Sequence, residues 1–206
     1  MGTHCLCIVC LDVRGRRVLM KMCYDGTSVS YLSVVPQVMS DPGQPFGKRR
    51  YELGVSHGGH PLVLNPMTSA SANVLGVAAA AIDPWAHHGF SAAKMVAGFE
   101  GLAGCYQLEC GGELAGGVVV VCPWLAGPYL QILVVTPEHQ NKGIGTSMLA
   151  WFESEARGRF RNLWLCVSAF NLRARCFYGA HGFRPVATLG GLLCEGEDEL
   201  LMRKNI

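Results

Sequence analysis

The chain is poor in charge. Of its 206 residues only 16% are Asp, Glu, Lys or Arg, and 17 basic side chains nearly cancel 15 acidic ones. Disorder along the whole chain is disfavoured, because it needs low hydrophobicity and high net charge, whereas half of these residues are hydrophobic. Nothing suggests a general nucleic-acid binder, which would carry a basic face. Long uninterrupted apolar runs are also missing. The longest, Val118 to Val135, is broken by Pro123, Gly127 and Pro128 and reads as two strands with a turn, so a membrane span is disfavoured. The N-terminus shows no charged stretch leading into a long apolar segment with a small-residue cleavage site, and Leu6 stands where a myristoylation signal has Ser or Thr. The phosphate-binding pattern GxxxxGK followed by Ser or Thr is absent, as is a GxGxxG with an acidic residue at the right distance. A nucleoside triphosphate or a dinucleotide is thereby disfavoured.

Cysteine is plentiful, at ten residues. Cys105, Cys110, Cys122, Cys166, Cys176 and Cys194 lie in or beside apolar runs, where a reduced, buried thiol is the usual occupant. A reducing cytoplasm is expected. His4, Cys5, Cys7 and Cys10 are metal-ligating types, but their spacing matches no closed four-ligand pattern and no second CxxC follows. No metal is expected.

Composition changes at Met67. The 66 residues before it hold 8 Gly, 5 Pro, 7 basic and 4 acidic residues, a net +3, while the remaining 140 hold 10 basic and 11 acidic, a net −1. The first part offers only short apolar pieces such as Cys5 to Leu11 and Val29 to Val38, with no long amphipathic helix. Residues 1–66 are therefore expected to be an extension, flexible or foreign to the natural protein, and residues 67–206 the folded domain.

From Asn73 the pattern becomes orderly. Asn73 to Ile82 suits a strand, and Asp83 followed by Pro84 suits a helix start, with helix in two pieces to about Gly98. Cys105 to Cys110 and Glu113 to Val121 read as a hairpin around Gly111 and Gly112, and Tyr129 to Thr136 as a strand that Pro137 stops. Gly143 to Arg157 carries Ile144, Met148, Leu149 and Phe152 on one helical stripe. Leu163 to Val167 is a strand, Asn171 to His181 a helix, and Phe183 to Ala187 and Glu199 to Arg203 two closing strands. The order is that of a mixed α/β domain.

The stretch from Val134 to Gly145 carries the most information. A strand ends, a loop turns, and a helix begins with two glycines that let backbone come close to a ligand. The first amides of that helix have no internal partners and lie at its positive end, which suits an anion such as phosphate.

Gln140, Gly143 and Gly145 match a Q/RxxGxG/A signature, and Asn171, Ala174, Phe177, Tyr178, Gly182 and Phe183 fit an NxxAxxFYxxxGF helix. With these two motifs in order, residues from about Asn73 to Ile206 resemble the GNAT superfamily of N-acetyltransferases, and nothing in residues 1–66 belongs to the resemblance. It implies a mixed central sheet flanked by helices, with acetyl-CoA as co-substrate. It assigns Leu133, Val134 and Val135 to the pantetheine arm through their backbone. The amides of Gln140, Asn141, Lys142, Gly143, Ile144 and Gly145 would take the pyrophosphate, with Lys142 either adding charge or merely solvated. Asn171 would bond the pantetheine arm, or else only cap its helix. Tyr178 resembles the residue that protonates the leaving thiolate, against a plain role as a core tyrosine.

The implied reaction is attack of a primary amine, on a small molecule or a protein, on the thioester. A lysine-like amine of pKa about 10.4 is neutral only about once in 2,500 molecules at pH 7, so a base matters. Several family members that acetylate protein N-termini have a Glu five residues before the equivalent of Asn171, and here that position is Cys166. Glu109 and Glu113 are alternatives on the central strands, although residues of a hairpin are commonly just exposed. Asp83, Pro84, Trp85, His87, His88 and Phe90 offer aromatic surface to an acceptor, with His87 and His88 read as a surface pair. Glu195, Glu197, Asp198 and Glu199 form an acidic cluster that would attract a cationic amine or is a solvated turn. A non-catalytic acyl-CoA sensor is the alternative function, and a homodimer is allowed as well as a monomer.

Overall fold

The computed structural model describes residues 4–11, 17–24, 29–32, 44–99 and 104–206, the first three segments by their backbone alone. The chain divides into two compact units, Met1–Met39 and Ser40–Ile206. In the first, β1 (His4–Leu11), β2 (Arg17–Tyr24) and β3 (Val29–Leu32) form an antiparallel sheet in the order β1-β2-β3. The side chains of His4, Cys5, Cys7 and Cys10 lie outside what is described, as does the apolar piece beyond Leu32.

The second unit is built on one sheet of eight strands, β10-β11-β9-β8-β7-β6-β5-β4. Its first two strands, β4 (Tyr51–Val55) and β5 (Pro61–Pro66), come from residues read above as extension. β5 pairs antiparallel with β6 from Leu62↔Cys110 to Pro66↔Tyr106, and Leu62 and Leu64 are fully buried. Met67 thus falls between β5 and the first helix, inside this unit.

Asn73 to Ile82 is not a strand. It belongs to α1 (Ser69–Ala80), opened by the Thr68 side chain, which accepts from the Ser71 amide. The run is rich in alanine, the best helix former, and Ala72, Leu75, Gly76 and Ala79 fall on one buried helical stripe. Asp83 and Pro84 likewise start no lasting helix. Ala86 N–H bonds Ile82 O and His88 N–H bonds Pro84 O, but the winding ends at Gly89, which is left-handed (φ 65°). The second helix, α2 (Ala92–Phe99), starts afresh behind Ser91, whose Oγ accepts the Lys94 amide.

The rest follows the expected order: β6 (Cys105–Cys110), β7 (Glu113–Trp124), β8 (Gly127–Val135), α3 (Ile144–Ala156), β9 (Asn162–Ser168), α4 (Leu172–Ala180), β10 (Arg184–Gly190) and β11 (Asp198–Asn205). α1 and α2 bury Leu75, Met95 and Phe99 against one face of the sheet, with Val119, Ile132 and Val134. α3 and α4 cover the other, where Ile144, Met148 and Phe152 meet Leu130, Leu165 and Val167. Among the described residues, no helix is long and apolar enough to cross a membrane. The six cysteines of this unit are thiols, and Cys176 is exposed on α4, unlike the buried thiol expected there.

Candidate active site

The site begins with a break in the sheet. β8 and β9 are its one parallel pair among the described strands, in register only at Tyr129↔Trp164 and Leu130↔Leu165. Against β7, on its other side, β8 shifts register at the same place: Leu130 faces Val120 and Ile132 faces Val119, which leaves Gln131 as an extra residue. Such a bulge bends its strand and raises the local twist, and here it turns β8 away from β9. Beyond it, Leu133, Val134 and Val135 stay paired to β7, while their other edge fronts the gap. Backbone polar groups along such an edge need a partner.

The gap leads to the start of α3. After Thr136 a short 3-10 turn (Pro137–His139) redirects the chain, with the Thr136 hydroxyl 2.9 Å from His139 Nδ1. Asn141 (φ 61°) and Gly143 (φ 77°) are both left-handed. Gly143 is the N-cap and, among the described residues, no side chain caps this helix, so the amides of its first turn are left without internal partners. A Cβ on Gly143 would overlap the His57 imidazole, and one on Gly145 would sit 3.1 Å from Phe177 Cζ on α4. The two glycines therefore do separate jobs: Gly143 turns the chain, and Gly145 lets α3 approach α4. Gly143→Ala combines a left-handed alanine, costing about 1–2 kcal/mol, with that overlap. A melting temperature lower by roughly 3–8 °C is expected in a thermal melt, partly restored by adding His57→Ala; an unchanged melt would show that the loop relaxes freely.

Side chains hold the loop in place. Gln140 donates through Nε2 to Val135 O (3.1 Å), and its Oε1 accepts from Arg173 Nη1 (3.2 Å). The second arm of Arg173 donates to Asn141 Oδ1 (2.9 Å). Arg173, on α4, is not among the residues the motifs single out, although it lies between Asn171 and Ala174 and brings a guanidinium to the loop. Lys142 is exposed, with no side-chain partner among the described residues.

Asn171 takes the capping role: its Oδ1 accepts from Ala174 N at 3.0 Å. That leaves its amide nitrogen as a donor. Tyr178 packs between Phe177 and Phe183, at ring-centroid distances of 5.3 and 6.1 Å. Its hydroxyl has no hydrogen-bond partner among the described residues, and burial pushes its pKa up to about 12.

The sequence-level candidates for a base fare differently. Cys166 is half-buried and its thiol is pushed up by burial, as a packed thiol should be. Glu109 accepts from Asn65 Nδ2 (3.0 Å) and Gln107 Nε2 (2.9 Å), and the side chain of Glu113 is 81% exposed beside His139. Two expectations are overturned. His88 is not on the surface: its side chain is fully buried, with Nε2 3.0 Å from Ser168 Oγ and 3.5 Å from Glu199 Oε1. Glu199 is not part of a solvated turn but 3% exposed, and burial raises its carboxyl pKa while Ser168 and His88 pull the other way. No local pattern announces this, because the three residues come from distant segments. His87 stays outside, 3.0 Å from Glu197. Among the described residues no group of three His, Cys, Asp or Glu side chains is placed to hold a metal ion.

The model of the acetyltransferase (GNAT) family matches residues 77–183. No curated protein matches by sequence. Solved structures do match by fold. An acetyltransferase from Thermus thermophilus shares 24% identity at a TM-score of 0.56, with 70% of this chain and 97% of that one covered. The ribosomal-protein-S18-alanine N-acetyltransferase of Escherichia coli gives 24%, 0.56, 70% and 94%. RimJ of Mycobacterium smegmatis, solved with CoA-disulfide, gives 18%, 0.59, 79% and 90%. With more than half of its residues matched by the family model, and with a split sheet, an uncapped glycine-started helix and an asparagine-capped helix bearing Tyr178, the chain belongs to the GNAT acetyltransferase family.

Proposed function

We propose that this protein transfers the acetyl group of acetyl-CoA to a primary amine, on a small molecule or a protein, by direct attack on the thioester. The observation that carries the reading is a run of backbone groups open to a ligand: the edge of β8 past Gln131, where Gln140 Nε2 donates to Val135 O, leads to the start of α3, and Arg173 ties that loop to α4, which bears Asn171 and Tyr178. An extended arm ending in a pyrophosphate matches that series. The backbone of Leu133, Val134 and Val135 holds the arm. The amides from Gln140 to Gly145 take the pyrophosphate, aided by the helix dipole by roughly 0.3–1 kcal/mol. Arg173 adds charge at the loop, and the exposed Lys142 can do the same. Asn171 donates through Nδ2 to the arm while its oxygen keeps the cap.

The acetyl donor supplies an activated carbonyl and a thiol leaving group. Holding it in one orientation turns the attack into a near-intramolecular event. Tyr178 stays protonated through the physiological range and gives its proton to the sulfur as charge develops there. A reducing compartment such as the cytoplasm fits the six thiols of the unit.

Thiol release on incubation with acetyl-CoA and a panel of primary amines tests the reading. At least one amine is expected to release thiol well above the rate without acceptor. Binding of acetyl-CoA with no release for any amine would favour the non-catalytic sensor.

A further inference from the structure

Three polar side chains are buried together away from Tyr178. Val167 faces α3 and α4, so by alternation Ser168, the last residue of β9, faces the other side of the sheet. Directly across from it on β11 stands Glu199, and His88 reaches over both from the segment between α1 and α2. The His88 side chain is fully buried and that of Glu199 is 4% exposed. Among the described residues His88 Nδ1 makes no hydrogen bond, and Glu199 Oε1 has only the 3.5 Å contact with His88 Nε2. Buried polar atoms normally find partners, so Nδ1, on the far side of the ring from Glu199 and Ser168, is the nitrogen left to meet one.

The cluster borders the gap between β8 and β9. β9 is one wall of the gap, and Ser168 lies at its mouth: the Ser168 carbonyl accepts from the backbone N–H of Asn171, the cap of α4, at 2.9 Å. Tyr178 therefore serves the gap from the face of α3 and α4, and the buried cluster from the face of α1 and α2. The rim next to the cluster is aromatic and acidic. The rings of His87 and Phe170 lie 4.0 Å apart, His88 and Phe170 5.3 Å, and Glu197 holds His87. Cys194 donates its thiol to the His88 carbonyl (3.7 Å), and Cys166, its thiol raised by burial, lies within electrostatic reach of Glu199.

We propose that His88 takes the proton of the acceptor ammonium at Nδ1, directly or through one water, while Ser168 and Glu199 position the imidazole and stabilise the charge it gains. The assignment rests on the amine-acetylating reading above. The steps balance. The ammonium gives one proton to Nδ1, and the neutral nitrogen forms the C–N bond. The C–S bond then breaks and its electron pair stays on sulfur, which takes the Tyr178 proton. The second nitrogen proton restores the Tyr178 hydroxyl, and the proton on His88 leaves to solvent. His88 is thus a catalytic residue, and Ser168 and Glu199 are positioning residues.

Acceptor basicity separates this from a structural role. At pH 8 an amine of pKa about 10.4 is neutral about once in 250 molecules, whereas one of pKa about 7 is mostly neutral already. kcat/KM is measured at pH 8 for one amine of each kind, in the full chain and in His88→Gln and Glu199→Gln. The expected result is a loss of about 10²-fold with the basic amine and of less than about threefold with the weakly basic one, at unchanged acetyl-CoA affinity. Equal losses with both amines, or none with either, would overturn the assignment while leaving amine acetylation standing. No thiol release with any amine in the unaltered chain would overturn the amine reading and the assignment with it. Should the two variants melt early, Ser168→Ala, which deletes one small hydroxyl, puts the same question with an expected loss of about threefold to tenfold confined to the basic amine.

Discussion

Tyr178→Phe is expected to lower turnover by about 10²–10⁴-fold, the range typical of a positioned proton donor, while acetyl-CoA affinity stays within about twofold. The substitution removes a hydroxyl that bonds no described residue, so no protein partner is stranded. The ring keeps its place between Phe177 and Phe183, so the melting temperature should hold. With the Tyr178 hydroxyl at about 12 and a free thiol near 8.5, complete proton transfer ahead of C–S cleavage is uphill by about 5 kcal/mol. The proton must move as the bond breaks. The same elevation keeps the donor form present at every pH below about 11, so loss of this proton should not appear as a limb of the rate profile near neutrality. Steady-state kinetics with a titration of acetyl-CoA gives the answer, and unchanged turnover would remove Tyr178 from the mechanism.

The second large effect concerns the start of the folded unit. A chain beginning at Met67 is expected to lose cooperative folding, while one beginning at Ser40 keeps it. Phe46, Tyr51, Leu62 and Leu64 are all at most 6% exposed, and each buried side chain of this kind contributes about 1.5–3 kcal/mol. Their joint loss, about 6–12 kcal/mol, rivals the whole stability of a typical domain, about 5–15 kcal/mol. Polar links go as well. Tyr106 loses the carbonyls of Phe46 and Lys48 that accept its hydroxyl, at 2.7 and 3.0 Å. Glu155 loses the Phe46 amide and the Tyr51 hydroxyl. β6 would become an edge strand with one side of its ladder open. Thermal melts of the two shortened chains, followed by circular dichroism, decide the matter; a cooperative transition of the Met67 chain near that of the full chain would refute the expectation.

The contrast between these two cases shows what a sequence carries openly. The turn at Gly143 and the cap at Asn171 are legible because each is local, whereas Gly145, which meets Phe177 32 residues on, and Tyr178 are singled out only by the motifs that carry the resemblance. β6 through β11 are legible through alternation and turn residues. α1 misleads because Val74 and Val77 are exposed, 58% and 63%, which removes the polar face that would have betrayed a helix. β4 escapes because it is only five residues long with Gly54 inside it, and β5 because its two prolines look like loop. His88, Ser168 and Glu199 have no local signature at all, since His88 and Ser168 are 80 residues apart. Only the crossing of β11 between β9 and β10 brings Glu199 to Ser168.

The bulge at Gln131 also has a mechanical meaning. With β8 and β9 registered at only two residue pairs, strands β4 to β8 and strands β9 to β11 are two half-sheets stitched at one end. An extended ligand in the opening would act as a further strand against β8 and tie the halves together. Its binding free energy would then enter the cohesion of the fold, adding about 2.7 kcal/mol at a free concentration about a hundred times its Kd. Donor supply and resistance to unfolding would rise and fall together in such a protein.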